Sequence, residues 1–569
     1  MFRKTLYLPC IFLFFWASSS LLANNNIKKP LDIYLSSNSQ LTGHPLTSSD
    51  QIDFGLKSLL YGPLFRIGED WEFECELCEV QPTFENKLVE ISRSRHGSGK
   101  ISVEIQLKKD ARWADGVAIS GHDIVFSWKV GAKLSDTLEH PTIYDRIESI
   151  SVPRGRPKVA KVILKGAYYQ NKILDEFYII PRHLEEPIWN KSGKVASKYL
   201  SDSLYTVDPS NPGLYYKSYV PLNVRNNSIK LTVNRFNMAN KPDFTSITLH
   251  RTNGVKDWIK SNNFKNSVYI NSDFSDVNFT NDEHLKNIMQ LDETHKRISE
   301  PTLYWEQAVF NQRNPILNDK KIRKAVIHAI DWKAIAKLAG EDNIITSSSF
   351  EPPFSPFYIP EPPYLYSKKL ATQLIKSAGW IKDENGIYVK GKEPLEFNIV
   401  VLKDNSLRLK IAEQVANNLK EIGFQTSLYP KSKPFLMNRV IKEGRFTGLA
   451  FYGIKMDANI APRTIFHSHE IPSSLNDYLG QNVGVWYSKD VDNTLDNLRA
   501  SLTRPKREKY FKLLQSQYTA EIPGLSIFYH RNFNQFPKSI VINNLVPGEP
   551  IIASLASWSN LDKVKYSQK

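Results

Sequence analysis

The chain has 569 residues, of which 41% are hydrophobic and 23% are charged, and its formal net charge at pH 7 is +15. A chain of this length buries more than one hydrophobic core, so the sequence predicts two or three domains. The basic residues are dispersed along the whole chain. Without a basic block or arm they do not indicate a nucleic-acid-binding protein.

The N-terminal segment has the three parts of a secretory signal peptide. Arg3 and Lys4 form a positive region, residues 6–16 form an apolar stretch, and small residues end at Ala23, after which cleavage is predicted. The apolar stretch is shorter than the roughly 20 residues that a transmembrane helix needs. The sequence therefore predicts a soluble, exported protein that has lost residues 1–23 and carries a formal charge of +13.

Of the three cysteines, Cys10 lies in the predicted signal peptide, and Cys75 and Cys78 remain. In an oxidising compartment such a pair can close into a local disulfide or act as a redox pair. The flanking sequence EDWEFECELCEVQP is typical of a strand and a turn, not of the helix that a redox motif opens. Two thiols are also too few for tetrahedral zinc. A local disulfide is the favoured interpretation, and redox chemistry stays open.

Signatures of enzymes are missing from the sequence. The stretch HGSGKIS at 96–102 is similar to a phosphate-binding loop, but Ser94 replaces the first glycine and Ile101 replaces the hydroxyl after the lysine. His467 and His469 are two residues apart with no third metal ligand in view, which favours a polar loop. We find no GxSxG, HExxH or GxGxxG. The sequence predicts no enzyme, no metal site and no cofactor.

The two halves of the chain differ in their predicted elements. The second half predicts four capped helices, which run from Asp319 to Gly340, from Ser367 to Gly379, from Ser406 to Gly423, and from Thr503 through Leu514. Residues 395–428 have the pattern strand, helix, strand, which is a crossover unit of an α/β domain. The first half predicts more strands and few long helices, with strands in KISVEIQL, KVAKVILKG and SIKLTVNRF.

A series of segments resembles one family in sequence order. The segment LKKDARWADGVAISGHDIVFS (107–127) is similar to a signature of the bacterial extracellular solute-binding proteins of family 5, the peptide and nickel class of receptors for ABC importers. Further segments agree in order: LLYGPLFRI (59–67), IIPRH (179–183), FNQRNPILNDKKIRKAVIHAIDWKAIA (310–336), ATQLIKSAGW (371–380), YSKDVDNTLDNL (487–498) and RPKREKYFKLLQSQYTAEIPGLSIFYH (504–530). The resemblance covers residues 30 to 560.

The resemblance implies an α/β protein with the two-lobed fold of the type II periplasmic binding proteins, of the large class with three subdomains, and with the ligand in the cleft between the lobes. Lobe I is expected to comprise residues 24–300 and 531–569, with an inserted β-rich subdomain at about 61–200, and lobe II residues 301–530. In this family the Trp-x-Asp-Gly segment is structural. Asp115, Gly116 and Asp123 are therefore expected to build a turn and a helix cap.

The resemblance also implies a ligand-binding segment around LAFYGIKMDANIAP, residues 449–462. In peptide-binding members a Gly-x-x-x-Asp segment supplies a carboxylate to the peptide's α-ammonium group, and Gly453 and Asp457 match that spacing. A buried ammonium group needs such a partner charge. Tyr452, Asn482 and Trp486 are further candidates for the cleft lining. The chain departs from the family pattern at Ile454, at NPGLY (211–215) and around 255–275.

The implied function is the capture of short peptides and their delivery to an inner-membrane ABC permease by a monomeric binding protein. An alternative on the same fold is a non-peptide ligand such as a metal chelate, an opine or an oligosaccharide. A further alternative is a thiol-redox protein that uses Cys75 and Cys78.

Overall fold

The computed structural model describes residues 30–36, 40–47, 54–94, 97–134, 144, 146–165, 177–237, 242–271, 294–340, 344–345, 348–543, 545–546 and 548–560. The predicted signal peptide, with Cys10, lies outside the described residues. Among the described segments, no helix combines the length and the apolar content that crossing a membrane requires.

The described strands, in chain order, are β1 Leu31–Ser36, β2 Phe65–Ile67, β3 Phe73–Cys75, β4 Val89–Ser94, β5 Gly97–Gln106, β6 Ile147–Ser151, β7 Val159–Leu164, β8 Tyr219–Arg225, β9 Ser228–Val233, β10 Ser246–Thr252, β11 Val268–Asn271, β12 His295–Phe310, β13 Ile344–Ile345, β14 Ile381–Lys382, β15 Tyr388–Lys390, β16 Glu393–Pro394, β17 Glu396–Leu402, β18 Gln425–Lys431, β19 Leu449–Lys455, β20 Gly524–Pro537, β21 Ile540–Val541 and β22 Ser559–Asn560.

The described α-helices, in chain order, are α1 Phe54–Leu60, α2 Gly121–Gly131, α3 Arg182–Lys191, α4 Ala196–Asp202, α5 Leu204–Val207, α6 Val255–Ile259, α7 Pro315–Asn318, α8 Lys320–Ala329, α9 Trp332–Ala339, α10 Lys368–Ser377, α11 Ser406–Ile422, α12 Lys433–Phe435, α13 Arg463–Phe466, α14 Lys489–Ala500 and α15 Arg504–Glu521.

The main sheet has 11 strands and mixes parallel with antiparallel pairs. Its order is β18-β17-β19-β12-β20-β11-β1-β10-β9-β8, and β13 pairs with β20 outside this path. A separate four-stranded antiparallel sheet, β4-β5-β7-β6, lies within the first 165 residues. Helices and a large mixed sheet together make an α/β protein, as the sequence predicts.

Two long strands cross the middle of the main sheet. β12 pairs antiparallel with β20 from His295 opposite Pro537 to Val309 opposite Gly524. The register shifts between Pro301 and Trp305 and again between Glu306 and Gln307. The two strands therefore join both ends of the sheet, with irregular pairing near the centre.

The buried apolar residues form separate clusters on either side of this crossing. The N-terminal core draws its residues from 31–270 and 536–558. The C-terminal core draws on residues 308–528. A third group, here called the aromatic cluster, contains Trp305, Phe350, Phe466 and Tyr518 among residues 303–529, and Trp71 joins it from the first half of the chain.

The predicted crossover unit in the second half is confirmed. β17 pairs in parallel with β18, and α11 connects the two strands. Asn405 caps α11 by accepting a hydrogen bond from the backbone of Arg408, and Gly423 ends the helix with a φ of 109°. A residue without a Cβ is favoured in this left-handed conformation. The predicted strands of the first half are confirmed as β5, β7 and β9.

The prediction of one helix from Asp319 to Gly340 is wrong, because the segment forms two helices, α8 and α9. Ile330 and Asp331 between them have extended backbone angles. The Asp331 side chain accepts hydrogen bonds from the amides of Lys333 and Ala334 and so caps a new helix. An aspartate stabilises a helix start more than a helix interior, and this explains the break.

The segment from Trp113 to Asp123 has the expected structural role. The Asp115 carboxylate accepts the amide of Val117 at 2.9 Å and contacts His183 Nε2 at 2.8 Å. Asp123, in the first turn of α2, accepts the amide of Ser120 at 2.8 Å. These carboxylates fix a turn and a helix start, and neither lines the cavity described below.

A buried ionic group lies on the crossing strands. Glu306 of β12 receives two hydrogen bonds from the Arg408 guanidinium and lies 3.0 Å from His530 Nε2 of β20. Glu306 and Arg408 are both buried. Burial alone raises the pKa of Glu306, but Arg408 and His530 outweigh that effect and lower its pKa to about 2. The carboxylate is therefore ionised and ties α11 to the crossing.

We predict that Glu306→Gln destabilises the protein by about 3–5 kcal/mol, because it leaves the Arg408 charge buried without a counter-charge. The folded pKa of about 2 lies below the ordinary value of 4.5. The contribution of Glu306 is thus present above pH 4.5 and is lost as pH falls toward 2. Chemical denaturation of the wild type and the variant at pH 7 and pH 3 measures both effects, and the difference between the two proteins should shrink at pH 3.

Glu421→Gln is the matched control, because it removes one carboxylate of an exposed pair with Lys368, 2.9 Å apart. Exposed pairs contribute little to stability. Equal losses of stability in the two variants would contradict the role assigned to Glu306.

Candidate functional site

A cavity of about 170 Å³ lies between segments that are distant in sequence. Its walls come from residues 58–76, from Tyr178 and Lys217, from Leu303 with residues 455–460, and from residues 546–554. Leu303 lies in β12 at the irregular part of the pairing with β20. The cavity thus borders the strands that cross between the two halves, and pockets favour such boundaries.

Charged side chains of both signs line the cavity. The cationic ones are Arg66, Lys217 and Lys455, and the acidic ones are Glu76, Asp457 and Glu549. Among the described lining residues there is no histidine and no cysteine. The described part of the lining therefore offers ion-pairing groups and one soft donor, the thioether of Met456.

Glu76 holds two of the cations in place. Lys217 Nζ donates a hydrogen bond to Glu76 Oε2, and Arg66 Nε lies 3.1 Å from Glu76 Oε1. Burial raises the pKa of Glu76, but Lys217 and Arg66 outweigh it and hold the pKa below its ordinary value. This carboxylate stays charged at neutral pH and positions Lys217 and Arg66 at one side of the cavity.

Glu549 also lines the cavity, and its electrostatic environment differs from that of Glu76. Burial is the largest influence on it and raises its pKa, against the attraction of Arg66 and Lys217. A carboxyl group whose pKa is raised by burial gains from a cationic partner that enters the cavity.

Asp457 lies two residues beyond the end of β19, and its side chain is exposed at the cavity wall. The neighbouring Met456 and Ala458 are buried in the aromatic cluster. The Met456 amide donates to the Leu303 carbonyl at 2.8 Å. The backbone on both sides of Asp457 is therefore anchored, and Asp457 itself is exposed at the cavity.

Gly453 is placed differently from Asp457. It lies within β19 opposite Glu306, and a Cβ at this position would come within 2.2 Å of the Tyr304 ring. The Tyr304 hydroxyl lies 3.3 Å from the Gly453 carbonyl, to which it donates. The absence of a side chain makes room for Tyr304, and Gly453 does not line the cavity.

The other three sequence candidates lie elsewhere. Tyr452, Asn482 and Trp486 line a separate cavity of about 20 Å³, which holds about one water molecule. The Asn482 amide donates to the carbonyls of Phe466, His467 and Trp486 and accepts the Trp486 amide. Asn482 and Trp486 thus hold a loop together, and the structure does not bring these three residues together with Asp457.

The residues that sequence reasoning missed are the charged groups opposite Asp457. Arg66, Glu76, Lys217 and Glu549 are single charges in a chain with 74 basic and 59 acidic residues. None of them stands in a spaced motif. Only their three-dimensional arrangement distinguishes them from surface charges, although Arg66 belongs to one of the family-like segments.

The cysteine pair is bonded in the structure. Cys75 ends β3, its sulfur is joined to that of Cys78, and the Cα atoms are 5.3 Å apart. Cys78 is buried in the N-terminal core. The bond closes a tight loop next to the hairpin of β2 and β3.

The histidines at 467 and 469 occupy a polar loop. Buried His467 lies 3.6 Å from Asp492 and from Asp496, and its Nδ1 accepts the backbone amide of His469. Within the described part of the chain, no group of three or more His, Cys, Asp and Glu side chains is arranged to hold a metal. The cluster is accounted for by contacts within the loop and with the aspartates of α14.

Comparisons with known proteins show which proteins this chain resembles. Residues 225–457 match the family model described as the middle part of the bacterial extracellular solute-binding proteins, family 5. The oligopeptide-binding protein AppA of Bacillus subtilis (strain 168) is 22% identical over 518 residues, which cover 87% of this chain and 85% of AppA.

Solved structures share the fold over almost the whole chain. NikZ from Campylobacter jejuni, in complex with Ni(L-His), has a TM-score of 0.65 at 21% identity and is matched over 93% of this chain and 99% of its own. AppA from Bacillus subtilis, in complex with a nonapeptide, has a TM-score of 0.64 at 18% identity, with coverages of 94% and 100%. The fold is the two-lobed α/β fold of the type II periplasmic binding proteins. Over residues 225–457 the chain is similar to the bacterial extracellular solute-binding proteins of family 5.

Proposed function

We propose that this protein is a periplasmic receptor that captures short peptides in the cleft between its lobes and delivers them to an inner-membrane ABC importer. The observation that carries the proposal is the exposed Asp457 in a cavity that also contains fixed cations. The role is non-catalytic, and the protein acts as a monomer after removal of residues 1–23. The peptides bound by its relatives support this choice of ligand.

A short peptide matches the charges of the cavity. At neutral pH it carries an ammonium group at one end and a carboxylate at the other. Asp457 offers a partner for the ammonium group, and Lys217 and Arg66 lie where a carboxylate is favoured. Both terminal charges need such partners when they leave water. The side chains of the peptide need only hydrated space, because bridging water adapts to different shapes.

The size of the cavity favours short peptides over long ones. Its volume of about 170 Å³ is below the roughly 300–1,000 Å³ of pockets for drug-sized ligands. A longer peptide needs the lobes to separate further, which is the expected hinge motion in this fold.

The division into lobes belongs to the same proposal. We infer that lobe I comprises residues 24–300 and 531–569, with the inserted β-rich part at about 61–200, and lobe II residues 301–530. The composition of the N-terminal and C-terminal cores supports this division, since the former includes residues 536–558. The four-stranded sheet β4-β5-β7-β6 supports the inserted part.

A second candidate ligand is a metal chelate, which the similarity to NikZ in complex with Ni(L-His) supports. The described cavity wall contains no histidine or cysteine. A chelate would therefore have to bring its own imidazole or thiolate ligands and bind mainly through its charge. Opines and oligosaccharides are further non-peptide possibilities, and oligosaccharides have less support because a neutral sugar has no ammonium group for Asp457 to pair with.

We predict that Asp457→Asn raises the Kd for tri-alanine by about tenfold or more, because hydrogen bonds to a charged group contribute about 1.5–3 kcal/mol. N-acetyl-tri-alanine lacks the ammonium group, so it should bind the wild type weakly and lose little more in the variant. Calorimetric titration of the refolded, ligand-stripped protein measures both constants.

Asp404→Asn is the control, because Asp404 is an exposed aspartate outside the cavity. It should bind both peptides as the wild type does. If the wild type binds Ni(L-His) and not tri-alanine, the peptide proposal is wrong and the chelate takes its place.

We further predict that Cys75 and Cys78 form a stable structural disulfide and not a cycling redox pair. Burial of Cys78 restricts attack by an external thiolate. Thiol labelling of the native exported protein, before and after exposure to millimolar glutathione, should show no free thiols in either sample. Rapid labelling after mild reduction, followed by reoxidation, would instead support the redox alternative.

A further inference from the structure

The hairpin of β2 and β3 contacts two hydrophobic clusters, the N-terminal core and the aromatic cluster. Phe65 and Phe73 are buried in the N-terminal core. Trp71, at the tip between them, is 1% exposed and lies in the aromatic cluster with residues of the second half. Its ring packs edge-on against Phe354 with a centroid distance of 6.0 Å. One short hairpin therefore contributes side chains to two cores.

Polar contacts surround the inserted tryptophan. The Trp71 carbonyl accepts a hydrogen bond from the Asn459 amide at 2.8 Å. Arg507 Nη2 lies 2.7 Å from both carboxylate oxygens of Glu72, and Arg507 Nε donates to Asn459 at 3.1 Å. The Arg507 side chain is 11% exposed. A partly buried, charge-assisted contact of this kind is stronger than a surface pair.

A second ion pair of the hairpin is more exposed to solvent than the pair of Glu72 and Arg507. Arg504 Nη1 lies 3.2 Å from Asp70, whose side chain is 60% exposed. Exposed pairs contribute little. The contact is thus dominated by Trp71 and by Glu72 with Arg507.

The hairpin contact is next to the cavity. Arg66 and Ile67 of β2 line the cavity, as do Asp457 and Ala458, which precede Asn459. Both partners of the contact therefore continue directly into residues that line the proposed binding cleft. Moving the β2–β3 hairpin away from residues 457–459 would withdraw Trp71 from the aromatic cluster.

We propose that residues 68–73, the Trp71 hairpin tip, form a clasp that holds the two lobes closed and so sets how tightly and for how long the ligand is retained. Trp71, Glu72 and Arg507 are positioning residues that do not line the cavity. Stabilising the closed state raises the apparent affinity in proportion to its population. The effect on affinity rests on the proposed function, whereas the clasp itself is tested without ligand.

The test uses the full mature chain, stripped of ligand by unfolding and refolding. The variants are Trp71→Ala and Arg507→Gln, with Asp70→Asn as the matched control. Small-angle scattering of the ligand-free proteins should give a larger radius of gyration for the first two and an unchanged value for the control. Stopped-flow measurement with tri-alanine should show dissociation about tenfold faster in the first two, as expected if the closed population falls about tenfold.

A charge exchange keeps the test meaningful if Trp71→Ala fails to fold. Glu72→Arg alone should open the protein, and Glu72→Arg combined with Arg507→Glu should restore part of the closed state, since contacting residues are energetically coupled. Unchanged radii in Arg507→Gln and Glu72→Arg would overturn the clasp, whether or not tri-alanine binds. Enlarged radii without tri-alanine binding in any protein would support the clasp and contradict the peptide proposal.

Discussion

The pairing of β12 with β20 is the constraint on which the rest of the structure depends. The two strands pass from Pro537 beside the N-terminal core to Gly524 beside the C-terminal core, so both cores are attached to the same ladder. β20 is buried along almost its whole length. Neither half can shift along the other without breaking buried hydrogen bonds. The register is irregular between Pro301 and Trp305, and Leu303 at that point lines the cavity.

The same two strands carry two buried carboxyl groups with opposite behaviour. Glu306 has Arg408 against it, and its pKa falls to about 2. Glu300 accepts hydrogen bonds from Asn534 and from the amide of Ile551, with no cation among these partners, and burial raises its pKa to about 8. A nearby charge outweighs desolvation in the first case, while neutral donors do not in the second. A buried carboxyl group is costly without its hydrogen-bond partners. Glu306 therefore favours the contact with Arg408, and Glu300 favours the contacts with Asn534 and Ile551.

Local information was enough to predict much of the fold and little of the cavity. Gly423 ends a helix because of its own backbone freedom, and the crossover unit before it was predicted correctly. Asp331 shows the limit, since an apolar helical period across it concealed a capping residue that divides the segment. The charged side chains around the proposed ligand site could not be predicted from local sequence patterns. Glu76, Lys217 and Glu549 are each separated by more than a hundred residues. Glu549 meets the other two because the crossing strands bring the C-terminal segment back to the first half.

The proposed clasp has to be weak enough to open, and its geometry has two features that weaken it. Trp71 has a φ of 62°, a left-handed conformation that is costly for a bulky side chain. Its buried indole N–H has no hydrogen-bond partner among the described residues, which adds a desolvation cost. The desolvation cost disappears when the hairpin withdraws into water, and the backbone cost disappears if the tip also changes its conformation. They offset part of the gain from burying the ring and from pairing Glu72 with Arg507. A clasp with a large net stabilisation would keep the cleft closed without ligand and slow the entry and release of ligand. If the open and closed states have similar free energies, ligand binding can shift the population to the closed state.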